Sequence, residues 1–276
     1  MRIGFGQKIT LSVLSVALLI FLGGPFLWLL STSVKSPLEI IYQSGLIPEQ
    51  IYFQNYIEAL EKSGLIQAAL NSLTVALMAT FITSLLSLVP AYFFARSHGA
   101  GSKLMATWIL LSQVFPLSLL IIPLFLLMQR VNLLNSLIGL ILVYVVLNLP
   151  FSLWIIRSFI LSIPIDLEEQ ASVDGANGWK LVWLIIFPLA VPGVSVAALF
   201  TFINVWNEFF FALVLISDPE QATLPLKLAQ FLGAEGQGRF GALAAATVLA
   251  IVPSLLMFAG IQKRFSDNAV AGAIKG

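Results

Sequence analysis

Four carboxylates fall within nine residues, at Asp166, Glu168, Glu169 and Asp174, and a fifth, Glu208, stands alone inside a long apolar run. Acids grouped on a short hydrophilic turn can meet Lys or Arg on another surface. A single acid among apolar residues lacks the paired group that intramembrane acid–base catalysis needs. Other chemistries are poorly supplied. The chain has no Cys, which excludes disulfides, thiol catalysis and Cys-based metal sites. His98 is its sole histidine, which excludes HExxH zinc chemistry and any multi-His site. There is no Walker A sequence and no Ser/His/Asp constellation, so neither an ATPase nor a hydrolase is expected within this chain, and no cofactor or metal. The net charge of +1 provides no strongly basic surface for nucleic acid.

The elements that must position these acids are membrane helices. Of the 276 residues, 59% are hydrophobic and only 10% charged. The mean hydropathy is +0.99. A soluble domain carries about 25% charged residues, so too few ionic groups are present to cover a water-facing surface. The composition predicts a single all-α polytopic domain over 1–276. Six apolar segments are long enough to cross the roughly 30 Å of hydrocarbon as helices, at residues 9–31, 68–94, 104–128, 136–159, 190–216 and 241–261. The fifth apolar run already begins at Leu181. Its portion up to Pro188 and Pro192 is expected at the membrane surface, ahead of the span proper. The first run follows Arg2 and Lys8 but continues past Pro25 with no small-residue cleavage site, so it reads as a retained span rather than a signal peptide. With the N-terminus inside, nine Lys and Arg lie on the inner side and five on the outer, which sets both termini in the cytoplasm. Two outer loops, 32–67 and 217–240, are sizeable without resembling domains. Pro90, Pro116, Pro123, Pro150 and Pro253 fall inside apolar runs, where Pro kinks a helix.

On this topology the loop 164–180 is cytoplasmic, yet its four acids face only Arg157 and Lys180, against the usual basic trend. Its punctuation predicts a short helix, a tight turn and a second helix. Asp166 follows Pro164 as an N-cap, with Glu169 three residues on in capping-box position. Gly175 suits a left-handed helix end, and Asn177 can cap a helix starting at Gly178. A two-turn helix is marginal alone in water. It packs either on the protein's own helix ends or in a partner's groove; the residues by themselves leave both open.

The loop resembles the EAA loop of permease subunits of ABC importers. That pattern is Glu-Ala-Ala, three residues, Gly, nine residues, Ile, one residue, Leu-Pro. Here Glu169-Gln170-Ala171 stands three residues before Gly175, and nine more lead to Ile185, Ile186, Phe187 and Pro188. Gln170 replaces an Ala and Phe187 a Leu. Further along, Trp206-Asn207-Glu208, Thr223-Leu224-Pro225 and the Gly- and Ala-rich tail from Ala269 to Gly276 resemble carbohydrate permeases of maltose type, second permease, and together extend the likeness over most of the chain.

The resemblance implies a type I ABC importer permease fold with six transmembrane helices in a bacterial or archaeal cytoplasmic membrane. It implies a coupling helix docked on an ATP-binding subunit through Glu168, Glu169, Gln170, Ala171, Asp174, Gly175 and Ala176. The implied partners are a second permease subunit, two ATP-binding subunits that hold ATP and Mg, and an extracytoplasmic solute-binding protein reached by the loop 217–240. The substrate class it implies is a sugar or oligosaccharide; the alternatives are another solute class and, outside the family, a secondary transporter. No internal repeat of the kind common in secondary transporters is evident.

Glu208, with Asn204 and Asn207 beside it, has two readings. An ionisable residue inside a span is a functional candidate by default, which places this face on the translocation path or an outer gate. The other reading is an internal hydrogen bond or ion pair, for which Gln113 is a candidate partner. In the maltose-type family the other permease subunit grips most of the sugar. Gly236-Gln237-Gly238-Arg239-Phe240-Gly241 matches GxGxxG, but it follows no strand and opens a span, so it is not a dinucleotide fingerprint.

Overall fold

The structure is a computed structural model that describes residues 5–42, 45–61, 64–97, 99–233 and 239–273. Arg2, Lys62, His98, the first half of the GxGxxG match and the last three residues of the tail lie outside the described residues. In chain order the helices are α1 Phe5–Ser33, α2 Pro37–Tyr42, α3 Gln54–Glu61, α4 Leu65–Arg96, α5 Ala100–Val114, α6 Ile121–Arg130, α7 Leu137–Leu161, α8 Ile165–Val173, α9 Gly178–Lys180, α10 Phe187–Trp206, α11 Phe210–Leu215, α12 Leu224–Gly233 and α13 Phe240–Ala273. A π-helical turn, Leu181–Ile186, joins α9 to α10, so that Gly178–Trp206 is one continuous helix. Five unbroken helices among the described residues are long and apolar enough to cross a membrane.

The segment 104–128 is not one straight helix. Its two halves, Gly101–Val114 and Leu117–Arg130, meet at 93°. The cause is local. Pro116 has no N–H to give to the helix, and it forces Phe115 into extended backbone at φ −70°, ψ 128°. The other expected kink sites behave differently: α4, α7 and α13 continue as helix through Pro90, Pro150 and Pro253, and Pro123 lies in the first turn of α6, where its missing N–H has no helical partner to lose. The fifth segment also departs from its expected bounds. Helix begins at Gly178, with a π turn, in which the Phe187 N–H donates to the carbonyl of Val182, lying just ahead of Pro188. It ends at Trp206 rather than 216. There the Asn207 amide takes the carbonyl of Ile203, and the Glu208 carboxylate takes the N–H groups of Phe211 and Ala212, so one helix stops and α11 starts.

The chain divides into two compact units. In the first, formed by Met1–Ile66 and Lys227–Val252, Asn55 is the hub. Its amide donates to the carbonyls of Ser33 at 3.0 Å and Lys35 at 2.8 Å, and it sits against Gly241, where a Cβ would come within 2.5 Å of it. Much of α1 is exposed apolar surface, including Leu19, Ile20 and Phe21, as a lipid-facing helix requires.

The second unit, Gln67–Leu226 and Pro253–Gly276, is built on the seam between α7 and α10. Small buried residues at Ala190, Gly193, Ala197 and Thr201 recur every three or four positions and let the backbones approach. Ser152 and Thr201 share a buried hydrogen bond of 2.9 Å within that seam. At Gly193 a Cβ would lie 2.5 Å from Cγ of Phe159. Gly193→Leu is therefore expected to destabilise the unit by about 1–3 kcal/mol, read as a lower melting temperature in detergent. Phe159→Ala in the same chain should return part of that loss by vacating the space.

Candidate functional site

The acidic turn is split between an inner and an outer face. In α8, Glu168 turns inward and is only 7% exposed. Its Oε1 accepts from Arg96 Nε at 2.7 Å and pairs with Arg96 NH2 at 2.5 Å, while Oε2 accepts from Tyr92 at 3.0 Å. Arg96 also donates to the carbonyl of Ile163. Glu168 is thus bound to its own chain and lies on the buried side of α8, which corrects the outward position expected for it. Ala171, one turn on, faces the same way and packs against the cluster formed by Phe94, Ile160 and Ile186.

The outer face carries Asp166, Glu169 and Gln170, all exposed, with Val173 at 88% exposure. Asp166 sits in the first turn, but the helix cap is Pro164 and no side chain caps the end, so the expected Asp166 cap and its capping box are absent. At the other end the punctuation is as expected. Gly175 has φ +86°, its N–H bonds the carbonyl of Ser172 at 3.1 Å, and the N–H of Ala176 bonds that of Ala171 at 2.9 Å. These two bonds form a Schellman motif. Asn177 takes the cap position of α9 in extended backbone without a side-chain bond, and Gly178 holds a second positive φ of +49°. Asp174, Gly175 and the 68%-exposed Trp179 stand at the tip, with Ala176 half-buried beside them. Val173 and Trp179, large apolar side chains in the open beside three acids, form a surface suited to docking.

Glu208 sits at the break between α10 and α11, on the wall of a cavity of about 810 Å³. Its carboxylate accepts from the Tyr144 hydroxyl at 2.5 Å and from the N–H of Phe211 at 2.9 Å. Gln113 lines the same cavity but is not its hydrogen-bond partner. Asn204 also lines the cavity, donating to Asn148 at 3.4 Å. Asn207 folds back on Ile203 and is not among the lining residues. Tyr144 and Asn148 escaped the sequence reading, although their i, i+4 spacing in an apolar helix marks one polar face. Tyr144 is buried, and Asn148 donates to its carbonyl at 2.8 Å, so the polar groups of this wall bond one another. The Thr223-Leu224-Pro225 segment is pinned to the start of α4, where Asn71 donates to the carbonyls of Glu220 and Ala222 and the Leu224 N–H donates to Ser72.

Comparison with known proteins follows the same outline. Residues 64–268 match the family described as binding-protein-dependent transport system inner membrane component. A Streptomyces antibioticus chain described as an ABC transporter permease protein is 44% identical over 229 residues, 83% of this chain and 100% of that one. A diacetylchitobiose uptake system permease of Streptomyces coelicolor is 34% identical, covering 91% of this chain and 83% of its own. A trehalose/maltose transport system permease of Thermococcus litoralis is 32% identical over 98% of both chains. Among solved structures, a chain of a bacterial ABC transporter involved in alginate import aligns with a TM-score of 0.80 at 24% identity, over 96% of this chain and 99% of that one.

Proposed function

The chain belongs to the family of binding-protein-dependent transport system inner membrane components, and from that premise we propose that it imports a sugar or oligosaccharide as one permease subunit of an ATP-driven complex. It is a multi-pass transport subunit of the inner membrane, not an enzyme. In the proposed complex it lines half of the path beside a second permease subunit. Two ATP-binding subunits hold ATP and Mg on the cytoplasmic side, and an extracytoplasmic solute-binding protein delivers the substrate. Both termini lie in the cytoplasm. The spans are 9–31, 68–94, 104–128 in two halves, 136–159, 178–206 and 241–261.

The observation that carries the coupling assignment is the bare outer face of α8. A short helix whose inner face is fixed by Glu168 and Ala171 leaves Glu169, Gln170, Val173, Asp174, Gly175 and Trp179 for a partner. The substrate class is supported by relatives named for diacetylchitobiose and for trehalose and maltose. Asn204 and Glu208, on an open cavity wall inside the apolar unit, are assigned to the path.

The test is uptake in proteoliposomes that hold the chain with its neighbouring-gene permease, ATPase and binding protein. Labelled di- and oligosaccharides should enter only with internal ATP and external binding protein. Uptake of an amino acid or ion but no saccharide would move the chain to another solute class. Uptake driven by an ion gradient without the ATPase would make it a secondary transporter.

A further inference from the structure

We propose that Arg96 is a positioning residue that passes movement of the coupling helix α8 to the long helix α4, with Glu168 as its handle and Tyr92 as a brace. The inference rests on the coupling reading above and extends it to residues outside the docking face. Tyr92 and Arg96 are i and i+4 on the last turns of α4, so both reach the same side. Together they use both oxygens of a carboxylate 72 residues further along the chain. Arg96 additionally holds the carbonyl of Ile163, which fixes the entry to α8. The pair is nearly dry, with side-chain exposures of 15% and 9%.

The physical reason concerns the direction of force. α8 also touches the core through Ala171, but an apolar contact resists being pressed and gives little resistance to being drawn apart. Short charge-assisted hydrogen bonds resist both, and hold an orientation as well. A helix that must push α4 and then bring it back needs the second kind of attachment. An ion pair this buried adds little net stability over an apolar pair of the same shape, so attachment is the property that distinguishes it. Loss of Arg96 removes no side chain from the exposed face of α8, which carries Glu169, Val173 and Asp174.

The experiment uses the whole complex in proteoliposomes and reads three quantities: recovery of the ATPase subunits with the chain, ATP hydrolysis, and saccharide taken up per ATP. Arg96→Met keeps side-chain length without charge. It should retain the ATPase subunits and hydrolysis while uptake per ATP falls about tenfold. The exchanged pair, Arg96→Glu with Glu168→Arg, should recover part of that loss, since it restores the ion pair but not the bonds to Ile163 and Tyr92. Tyr92→Phe, which removes one hydrogen bond and little volume, should show a smaller fall of about twofold. Normal uptake per ATP in Arg96→Met overturns the proposal. If Arg96 variants fail to assemble, Tyr92→Phe and Glu168→Gln decide, and unchanged coupling in both leaves the tie as a staple only and overturns it. ATP-independent uptake by the unaltered complex is a different result and overturns the transport reading instead.

Discussion

Gly175→Val should abolish most ATP-driven uptake, by about tenfold or more, while the chain reaches the membrane in normal amounts. The argument is conformational. Gly175 holds φ +86°, and a Cβ built there meets nothing within 4 Å, so the penalty is not a clash within this chain. It is the left-handed backbone itself, which costs an L-residue roughly 1–2 kcal/mol and is hardest for a β-branched side chain. That sum is comparable to the Schellman bonds it opposes, so the turn reopens and α9 leaves α8 at a new angle. The outer face then no longer presents Val173, Asp174 and Trp179 together. Asn enters the left-handed region far more readily, so Gly175→Asn should keep much of the uptake, with Gly175→Ala between the two. Flux in proteoliposomes, normalised to the amount of chain by immunoblot, ranks the series. Unimpaired uptake in the Val variant would show that the turn does not couple ATP hydrolysis to transport.

The same loop shows which features a sequence discloses. The helix, its glycine end and the following helix were legible because each depends on neighbours only a few residues away. The division of the acids was not. Glu168 and Glu169 are chemically alike and differ by one position, a turn of roughly 100° about the helix axis. Which of them faces inward is decided by Arg96, 72 residues earlier, which as a sequence feature showed only a charge at a span end. The prolines make a similar point. Pro90 and Pro150 lie in stretches packed on Leu88, Ala91, Ser152 and Leu153, all buried, and the helix survives there. Residues 111–119 around Pro116 are exposed, and there the segment bends by 93°. Exposure alone does not decide the outcome, because α1 and α13 also continue as helix through Pro25 and Pro253 beside exposed Phe26, Leu27, Leu255 and Leu256.

Glu208 was legible as a costly residue, but its partners belong to the fold. The carboxylate receives a hydroxyl hydrogen from α7 and two N–H groups from the start of α11, so it closes a helix break and ties two elements. Glu208→Ala leaves all three donors without an acceptor in an apolar setting and should cost about 2–4 kcal/mol, seen as a lower melting temperature in detergent and reduced amounts in the membrane. Glu208→Gln keeps one oxygen as acceptor at nearly the same position. It should cost about 1 kcal/mol and preserve most uptake, because the observed contacts use the carboxylate as an acceptor and, among the described residues, pair it with no cation. Tyr144→Phe combined with Glu208→Gln should cost less than the two changes summed, since both act on one hydrogen bond. A Gln variant that folds with normal stability yet loses transport would assign the negative charge itself a part in moving the substrate along the cavity wall it shares with Asn204.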